Sequence, residues 1–239
     1  MTGYRALVFV VTCLLGNVVH GADLQIEPVT VDLSESSTSI WIRNHGAESI
    51  HVTAKIFSWD QVDGDELLKP TNDVGVSPPR ADIAPGARQR LRVIRRDNAT
   101  TQRERAFRLI IDATTNPPAA VTPRYSLPVF VESMGERPVA LLAQLKSTDD
   151  GRAQLHLINP KGYRAKVVDL TYRISAVDAQ ILVPDLSGYI LPCSYKRWIL
   201  PGKFSQYKAG HFEAVVNGVL TILNAQIAER SKPIQLACE

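Results

Sequence analysis

The segment Ile50-His-Val-Thr-Ala-Lys-Ile-Phe-Ser-Trp59 alternates apolar with polar side chains, and turn-forming residues fill positions 60–65 directly after it. Because successive side chains of a β-strand point to opposite faces, this alternation predicts a strand with one buried and one exposed face. Short runs rich in valine, isoleucine, leucine and threonine recur at intervals of about 8–12 residues, which is the spacing of a β-sandwich or barrel. Helical periodicity is essentially absent. The sequence therefore predicts an all-β protein.

Seven such segments fall in the first half of the chain, which is the number expected of an immunoglobulin-like sandwich. They are residues 24–33, 39–43, 50–59, 76–79, 88–94, 106–111 and 125–131. Gly135 and Pro138 then interrupt the pattern, so we place a domain boundary after residue 134. Further short runs follow at residues 141–146, 153–158, 167–174, 181–183, 198–200, 211–216 and 220–223. They predict a second sandwich, and with it two domains in tandem, residues 22–134 and 135–239.

The first 21 residues have the features of a secretory signal peptide. Arg5 supplies a positive charge, residues 6–19 form an apolar run, and the small residues Gly21 and Ala22 offer a cleavage site. A retained transmembrane anchor is the alternative, but an apolar run of about 14 residues is shorter than the roughly 20 needed to span a bilayer. We therefore expect residues 1–21 to be removed on export, and the mature chain to contain no membrane span.

Composition and motif content argue against nucleic-acid binding and catalysis. The chain has 239 residues and a formal net charge of +3 at pH 7, and its basic residues form no cluster that resembles a phosphate-binding face. No nucleophile elbow, phosphate-binding glycine loop or zinc-protease motif is present. The histidines of the mature chain stand singly in different segments, which favours structural roles over metal binding. We therefore predict that the protein is not an enzyme and that it uses no cofactor or metal.

Export also changes the interpretation of the cysteines, since Cys13 leaves with the signal peptide and the mature chain retains Cys193 and Cys238. Two cysteines in an oxidising compartment are commonly paired. A disulfide here would close a loop of about 45 residues and contribute roughly 3–4 kcal/mol. Two buried free thiols are the alternative, which the sequence leaves open.

Several segments resemble the periplasmic chaperones of the chaperone–usher pilus pathway. Val76-Ser-Pro-Pro79 followed by Ile83-Ala-Pro-Gly86-Ala-Arg-Gln89-Arg-Leu-Arg-Val93 is similar to the family's proline–glycine signature, and a strand that ends in Trp59 precedes it. Leu191-Pro192 followed by Trp198 resembles the branch of the family called archaic. The resemblance covers nearly the whole mature chain. It implies two immunoglobulin-like domains that meet at an angle, with a subunit-binding cleft between them.

The resemblance also implies a mechanism. Pilus subunits of this pathway lack the last strand of their own sandwich, and the chaperone fills the open groove with a strand of its N-terminal domain. Here that strand should run through Pro123-Arg-Tyr-Ser-Leu-Pro-Val-Phe-Val131, and we predict that Val121, Tyr125, Leu127 and Val129 contact the subunit. The alternative is that this face packs into the domain's own core.

A second implied site is the anchor for the subunit's terminal carboxylate. Well-studied members of the family use two basic residues, which align near residues 28–30 and near Leu127, and neither region is basic here. The candidate substitutes are Arg124 in the donor strand and Arg88 or Arg90 in the strand after the proline–glycine turn, because a guanidinium fork matches a carboxylate.

Arg92, on the same strand as Arg88, is a further candidate for the anchor. The resemblance gives it a competing role, since the family's arginine at this place pairs with the glutamate that matches Glu104. We therefore expect Arg92 and Glu104 to form a structural ion pair.

Together these observations predict a periplasmic chaperone that stabilises pilus subunits by lending them a strand and delivers them to an outer-membrane usher. Its expected partners are those subunits and the usher, and self-association of the free chaperone through an exposed strand edge is left open. The alternative is another exported two-domain β protein, such as an adhesin or a pilus component. A pilus subunit, however, normally offers one domain and an N-terminal extension.

Overall fold

The computed structural model describes residues 23–97, 101–115, 122–133, 139–228, 234 and 236. The expected signal peptide lies outside these residues, as do Val121, Cys238 and the predicted boundary after residue 134. The described part consists of strands and loops, with a short 3₁₀ helix at Phe204–Tyr207 and no α-helix. None of its helical structure has the length and apolar character needed to cross a bilayer. The predicted all-β fold class is confirmed.

The described residues between positions 24 and 131 form the first sandwich, which has two sheets. Its described strands are Leu24–Glu27 (β1), Val31–Leu33 (β2), Ser37–Asn44 (β3), Ile50–Val62 (β4), Asp65–Pro70 (β5), Val74–Ser77 (β6), Arg80–Ile83 (β7), Arg88–Arg95 (β8), Arg105–Thr115 (β9) and Arg124–Val131 (β10). Sheet A has the order β1-β3-β8-β6, and sheet B has the order β2-β10-β9-β4-β5, with β7 beside β4. The inner faces of the two sheets enclose an apolar core.

The segment that the sequence presents as one strand, residues 24–33, contributes to both sheets. β1 pairs with β3 in sheet A, whereas β2 pairs in parallel with β10 in sheet B. Ile26 reaches the core from one sheet, and Val31 and Leu33 reach it from the other. Pro28 separates the two pieces, because a proline removes the N–H that a continuous ladder would use.

Residues 142–227 form the second sandwich, which also has two sheets around its own core. Its described strands are Leu142–Ser147 (β11), Arg152–Asn159 (β12), Ala165–Arg173 (β13), Ala179–Ile190 (β14), Ser194–Lys203 (β15), His211–Val216 (β16), Val219–Leu223 (β17) and Ala225–Ile227 (β18). Sheet C has the order β15-β12-β11-β18, and sheet D has the order β14-β13-β16-β17. No described strand pairs across the two sandwiches, so the predicted pair of sandwiches is confirmed.

Candidate functional site

The first half of β10 forms an open sheet edge. All eight residues of β10 pair with β9, whereas β2 pairs on the other side only with Val129–Val131. Among the described strands, residues 124–128 therefore have a single neighbour, and their backbone groups that point away from β9 find no partner strand. Pro128 suits this position, because proline lacks the N–H group that a central strand would need.

The inner face of β10 packs into the chain's own core. Leu127 and Val129 are 5% and 0% exposed, and Tyr125 packs against the same core, where burial raises the pKa of its hydroxyl. These three predicted donor residues thus contact their own sandwich, which is the alternative that the sequence left open. Val121, the fourth, lies outside the described residues. A partner strand at this edge meets β10 through its backbone.

The outer face of sheet B carries polar side chains near this edge. Arg124, a predicted carboxylate anchor, is exposed, and its Nε donates to Oδ1 of Asp112 at 2.6 Å. Ser126 is exposed as well. Closer to the second sandwich, Arg108 lies opposite Pro128 in the register between β9 and β10.

Arg108 is a cation that our sequence analysis did not select. Its guanidinium carbon lies 3.6 Å from the ring centroid of Trp59, and its Nη2 donates to both carboxylate oxygens of Glu66 at 3.3 Å. Nζ of Lys196, from the second sandwich, lies 3.9 Å from the same carboxylate. Burial lowers the pKa of Arg108, and the charge of Glu66 opposes this effect. Two cations from two sandwiches therefore share one partly exposed carboxylate.

The structure does not bring Arg92 and Glu104 together. Arg92 extends from the outer face of sheet A, where its Nη2 donates to Oγ of Ser37 at 2.6 Å. The side chain of Glu104 is fully buried and accepts hydrogen bonds from the backbone N–H and from Nη1 of Arg164, in the second sandwich. The predicted Arg92–Glu104 pair is wrong, because Arg92 lies on the far side of the first sandwich from the contact that Glu104 makes.

Arg164 links the two sandwiches through charge. Its Nη2 donates to Oδ1 of Asp32 at 2.6 Å, and its guanidinium carbon lies 3.8 Å from the ring centroid of Phe130. Burial raises the pKa of Glu104 to about 7, while the charge of Arg164 acts in the opposite direction. We name Glu104, Arg164 and Asp32 the charged junction.

Gln61 makes a second link, which carries no charge. Its Nε2 donates to the carbonyl of Tyr189 at 2.8 Å, and its Oε1 accepts from the backbone N–H of Leu191 at 2.9 Å and from the hydroxyl of Ser194 at 2.8 Å. The amide of one side chain thus satisfies three polar groups of the second sandwich. We name these four residues the neutral junction.

An apolar cluster accompanies the two junctions. It consists of Trp59, Ala106 and Phe130 from the first sandwich and Tyr189 and Leu191 from the second. The ring centroids of Trp59 and Phe130 are 6.0 Å apart, and those of Phe130 and Tyr189 are 5.3 Å apart. Both sandwiches also line a cavity of about 500 Å³ beside Trp59. The contact between the sandwiches therefore combines apolar packing with polar links.

Arg88 and Arg90, the other predicted anchors, lie on the far side of the first sandwich. Both extend from the outer face of sheet A, so the core separates them from β10 and from the two junctions. The guanidinium carbon of Arg88 lies 3.9 Å from the ring centroid of Trp41, and Arg90 stands opposite Trp41 in the register between β3 and β8. Neither residue is placed to hold a ligand at the open edge.

Cys193 occupies the turn between β14 and β15, with a φ of 53°. Its backbone N–H donates to the carbonyl of Lys161 at 3.2 Å. Its predicted partner, Cys238, lies outside the described residues, so the disulfide stays a prediction.

Solved structures share this architecture at low sequence identity. A chain of the CsuC–CsuE chaperone–tip adhesion subunit pre-assembly complex, from the archaic chaperone–usher Csu pili of Acinetobacter baumannii, superposes with a TM-score of 0.68 at 20% identity, covering 88% of this chain and 100% of that one. The CupB2 chaperone of Pseudomonas aeruginosa gives a TM-score of 0.58 at 15% identity, with coverages of 84% and 100%. A chain of the SafA pilin–SafB chaperone complex of Salmonella enterica gives 0.58 at 13% identity, with coverages of 86% and 99%. These similarities establish the fold.

The sequence of the first sandwich carries a family match. Residues 23–131 match the family model described as the pili and flagellar-assembly chaperone, PapD N-terminal domain. Among curated protein sequences, none matches the chain significantly. The first sandwich therefore belongs to the family described as the pili and flagellar-assembly chaperone, PapD N-terminal domain.

Proposed function

We propose that this chain is a periplasmic chaperone that captures pilus subunits along the open edge of β10 and delivers them to an outer-membrane usher. The observation that carries the proposal is the stretch of residues 124–128, which has a neighbouring strand on one side only among the described strands. Membership of the pilus-chaperone family supports it. So does the similarity to chains of chaperone–subunit complexes, CsuC–CsuE and SafA–SafB.

The chemistry of capture follows from the edge. An unpaired strand edge accepts a further strand through main-chain hydrogen bonds, and alternate side chains of the added segment then fill pockets of the partner. Because Tyr125, Leu127 and Val129 are committed to the chain's own core, we assign the groove-filling side chains to the segment upstream of Arg124, which contains Val121. In this proposal the domain of residues 22–134 supplies the strand, and the domain of residues 135–239 forms the opposite wall.

Arg108 and Lys196 fit the role of the carboxylate anchor better than Arg124 does. Arg124 is exposed and paired with Asp112, whereas Arg108 is 14% exposed and held in place by the ring of Trp59. A terminal carboxylate that displaces the partly exposed Glu66 would meet a desolvated guanidinium from one sandwich and an ammonium from the other. Charge-assisted hydrogen bonds of this kind are about twice as strong as neutral ones.

The proposed disulfide between Cys193 and Cys238 belongs to the same periplasmic setting. It would tie the C-terminal end of the chain to the turn that precedes β15, and the turn residue Leu191 takes part in the neutral junction. Mass analysis of the exported protein under non-reducing conditions tests the pairing.

Hydrogen exchange tests the proposed edge directly. The chain is coexpressed in the periplasm with a pilus subunit encoded beside its gene, and backbone exchange is compared between the free chain and the complex. The amides of Arg124 and Ser126, which point away from β9, should exchange at least tenfold more slowly in the complex. β17 (Val219–Leu223), an edge strand of sheet D among the described strands, is the matched control and should not change. A stable complex without protection at Arg124 and Ser126 would refute edge pairing.

Two matched substitutions test the anchor. Arg108→Met should weaken subunit capture at least tenfold, because a truncated charge leaves its partner carboxylate buried and unpaired. Arg124→Met should change capture less than twofold, since its charge is exposed and balanced by Asp112. Affinity is measured by competition for a labelled subunit. A larger loss of affinity in Arg124→Met than in Arg108→Met would identify Arg124 as the anchor instead.

A further inference from the structure

The proposed capture of subunits at β10 does not involve a cluster of arginines that lies on the outer face of sheet A. Arg43 on β3 and Arg88, Arg90 and Arg92 on β8 extend from this face, with Arg43 opposite Arg88 and Trp41 opposite Arg90 in the strand register. We name these four arginines and Trp41 the basic face. It lies on the opposite side of the first sandwich from β10, because the core separates sheets A and B.

Within the described residues, no ion pair balances the positive charge of the basic face. Several other arginines are paired with carboxylates, including Arg95 with Asp97, Arg105 with Asp97 and Asp73, Arg124 with Asp112, Arg152 with Asp150 and Arg173 with Glu213. In the described part of the chain, no carboxylate forms an ion pair with an arginine of the basic face, and Arg92 instead donates to the hydroxyl of Ser37. The adjoining strand β1 offers one carboxylate, Glu27, to which Gln25 donates.

Trp41 orders the guanidinium groups around it. The guanidinium carbon of Arg88 lies 3.9 Å from the ring centroid and that of Arg90 lies 5.9 Å from it. A stacked guanidinium keeps its N–H groups directed outward for hydrogen bonds, so less side-chain freedom is lost when a carboxylate binds. Tryptophan and arginine are also the residue types that most often dominate protein–protein contacts.

The spacing of the arginines suits one kind of ligand. Arg88, Arg90 and Arg92 occupy alternate positions of β8, so neighbouring side chains emerge about 6.6 Å apart at roughly 3.3 Å per residue. An extended peptide with acidic side chains at every second position has the same repeat. Carboxylates on such a peptide can each meet one guanidinium fork, whereas a contiguous run of acidic residues places half of its charges on the wrong side.

We propose that the basic face docks an extended acidic segment of a partner protein, whose carboxylates at alternate positions pair with Arg88, Arg90 and Arg92. The stacked ring favours a protein segment over a lipid surface, because Trp41 packs against the guanidinium of Arg88 rather than standing clear of it for insertion into a bilayer. This docking does not depend on the proposed capture of subunits. Since the two faces lie on opposite sides of the sandwich, both can be occupied at once.

Synthetic peptides of equal length and charge test the proposal. One carries four glutamates at alternate positions separated by threonines, and the other carries four contiguous glutamates. Binding to the full mature chain is measured by calorimetry in low salt. The alternating peptide should bind at least fivefold more tightly than the contiguous one. The double substitution Arg88→Gln/Arg90→Gln should weaken the alternating peptide at least tenfold, and the matched control Arg152→Gln, an exposed arginine of the second sandwich, should leave it unchanged.

Four outcomes would overturn the proposal. Equal affinity for the two peptides would show non-specific charge attraction only. So would a loss of affinity in Arg152→Gln as large as that in Arg88→Gln/Arg90→Gln. Cosedimentation with phosphatidylglycerol vesicles that requires Arg88 and Arg90, without binding of the alternating peptide, would assign the face to a membrane. If the wild-type chain, shown to be folded by its melting curve, binds neither peptide, the proposal of an acidic partner segment is wrong.

Discussion

The two polar links between the sandwiches solve the same problem in opposite ways. The charged junction buries a carboxyl group, Glu104, and compensates it with the guanidinium of Arg164. The neutral junction uses one amide, that of Gln61, to satisfy a carbonyl, an N–H and a hydroxyl. Burial costs much more free energy for an ion than for an amide. The charged junction therefore contributes little net stability, but removing one of its partners is strongly destabilising because the other charge stays buried and unpaired. The comparison teaches that only one of the two links should respond to pH.

Removal of Arg164 should have the largest effect. Arg164→Met leaves the carboxyl of Glu104 buried without its cation, and breaking a buried pair in this way costs about 3–5 kcal/mol. Guanidinium unfolding at pH 8 measures the loss. The double variant Arg164→Met/Glu104→Leu should recover most of it, because apolar replacement of both partners is often neutral. A double variant as unstable as the single one would mean that the charges are not the cause.

The pH dependence of stability should come next in size. Between about pH 4.5 and 7 the folded protein keeps a proton on Glu104 that the unfolded chain has released. The stabilisation is therefore complete below pH 4.5 and is lost as the pH rises through 7. With 1.36 kcal/mol per pKa unit, and a discount for screening, the free energy of unfolding should fall by about 2–3 kcal/mol across this window.

The difference between wild type and Glu104→Gln isolates this effect. His156, whose pKa burial lowers to about 4, makes stability rise with pH between about 4 and 6.5, and it does so equally in both proteins. Denaturant unfolding at half-unit intervals of pH gives the two profiles. Parallel profiles would show that Glu104 does not titrate in this window.

The neutral junction should show a smaller loss that is independent of pH. Gln61→Leu leaves the N–H of Leu191 and the carbonyl of Tyr189 without their side-chain partner, and an unsatisfied buried group costs about 1–3 kcal/mol. The loss should be equal at pH 5 and pH 8. Gln25→Leu, at an exposed glutamine, serves as control and should stay within about 0.5 kcal/mol. If the loss of unfolding free energy differs between pH 5 and pH 8, the neutral junction also responds to pH and the proposed difference between the junctions is wrong.

The smallest effect is expected at the surface link between Arg197 and Asp65, which also joins the two sandwiches. The side chains are 40% and 69% exposed, and exposed pairs contribute about 0.2–1 kcal/mol. A double-mutant cycle of Arg197→Ala and Asp65→Asn measures the coupling, which should vanish in 0.5 M salt. A coupling as large as that of the charged junction would show that exposure does not govern these links.

Alternation predicts strands wherever one face is buried and the other is not. Residues 50–59 illustrate this, since they form most of β4, which continues to Val62. The strand β5 was missed because all of its residues, Asp65–Pro70, are exposed, so neither face leaves a hydrophobic pattern. In residues 24–33 the core positions shift from even (Ile26) to odd (Val31 and Leu33) across Pro28, and our interpretation of one continuous strand overlooked this change of phase, which marks the change of sheet.

The candidate site was only partly visible in the sequence. Arg108 could have been found, because Phe107 and Leu109 face the core and the residue between them must face outward. Arg164 could not, since it lies 60 residues from Glu104 in a loop before β13, and no local pattern reports which loop reaches a buried carboxylate. The Arg92–Glu104 prediction failed for the same reason, as a resemblance transfers residue roles without testing the contacts that this chain makes.

The crossover of the N-terminal segment fixes how much of β10 stays bare. β2 covers β10 from Val129 onward, which leaves residues 124–128 uncovered, a length of about 17 Å at 3.3–3.4 Å per residue. An incoming strand that pairs along this stretch must therefore stop where Val31 begins. In the proposed capture, the crossover would set a fixed end point, so that subunits of different sequence would pair with β10 in the same register.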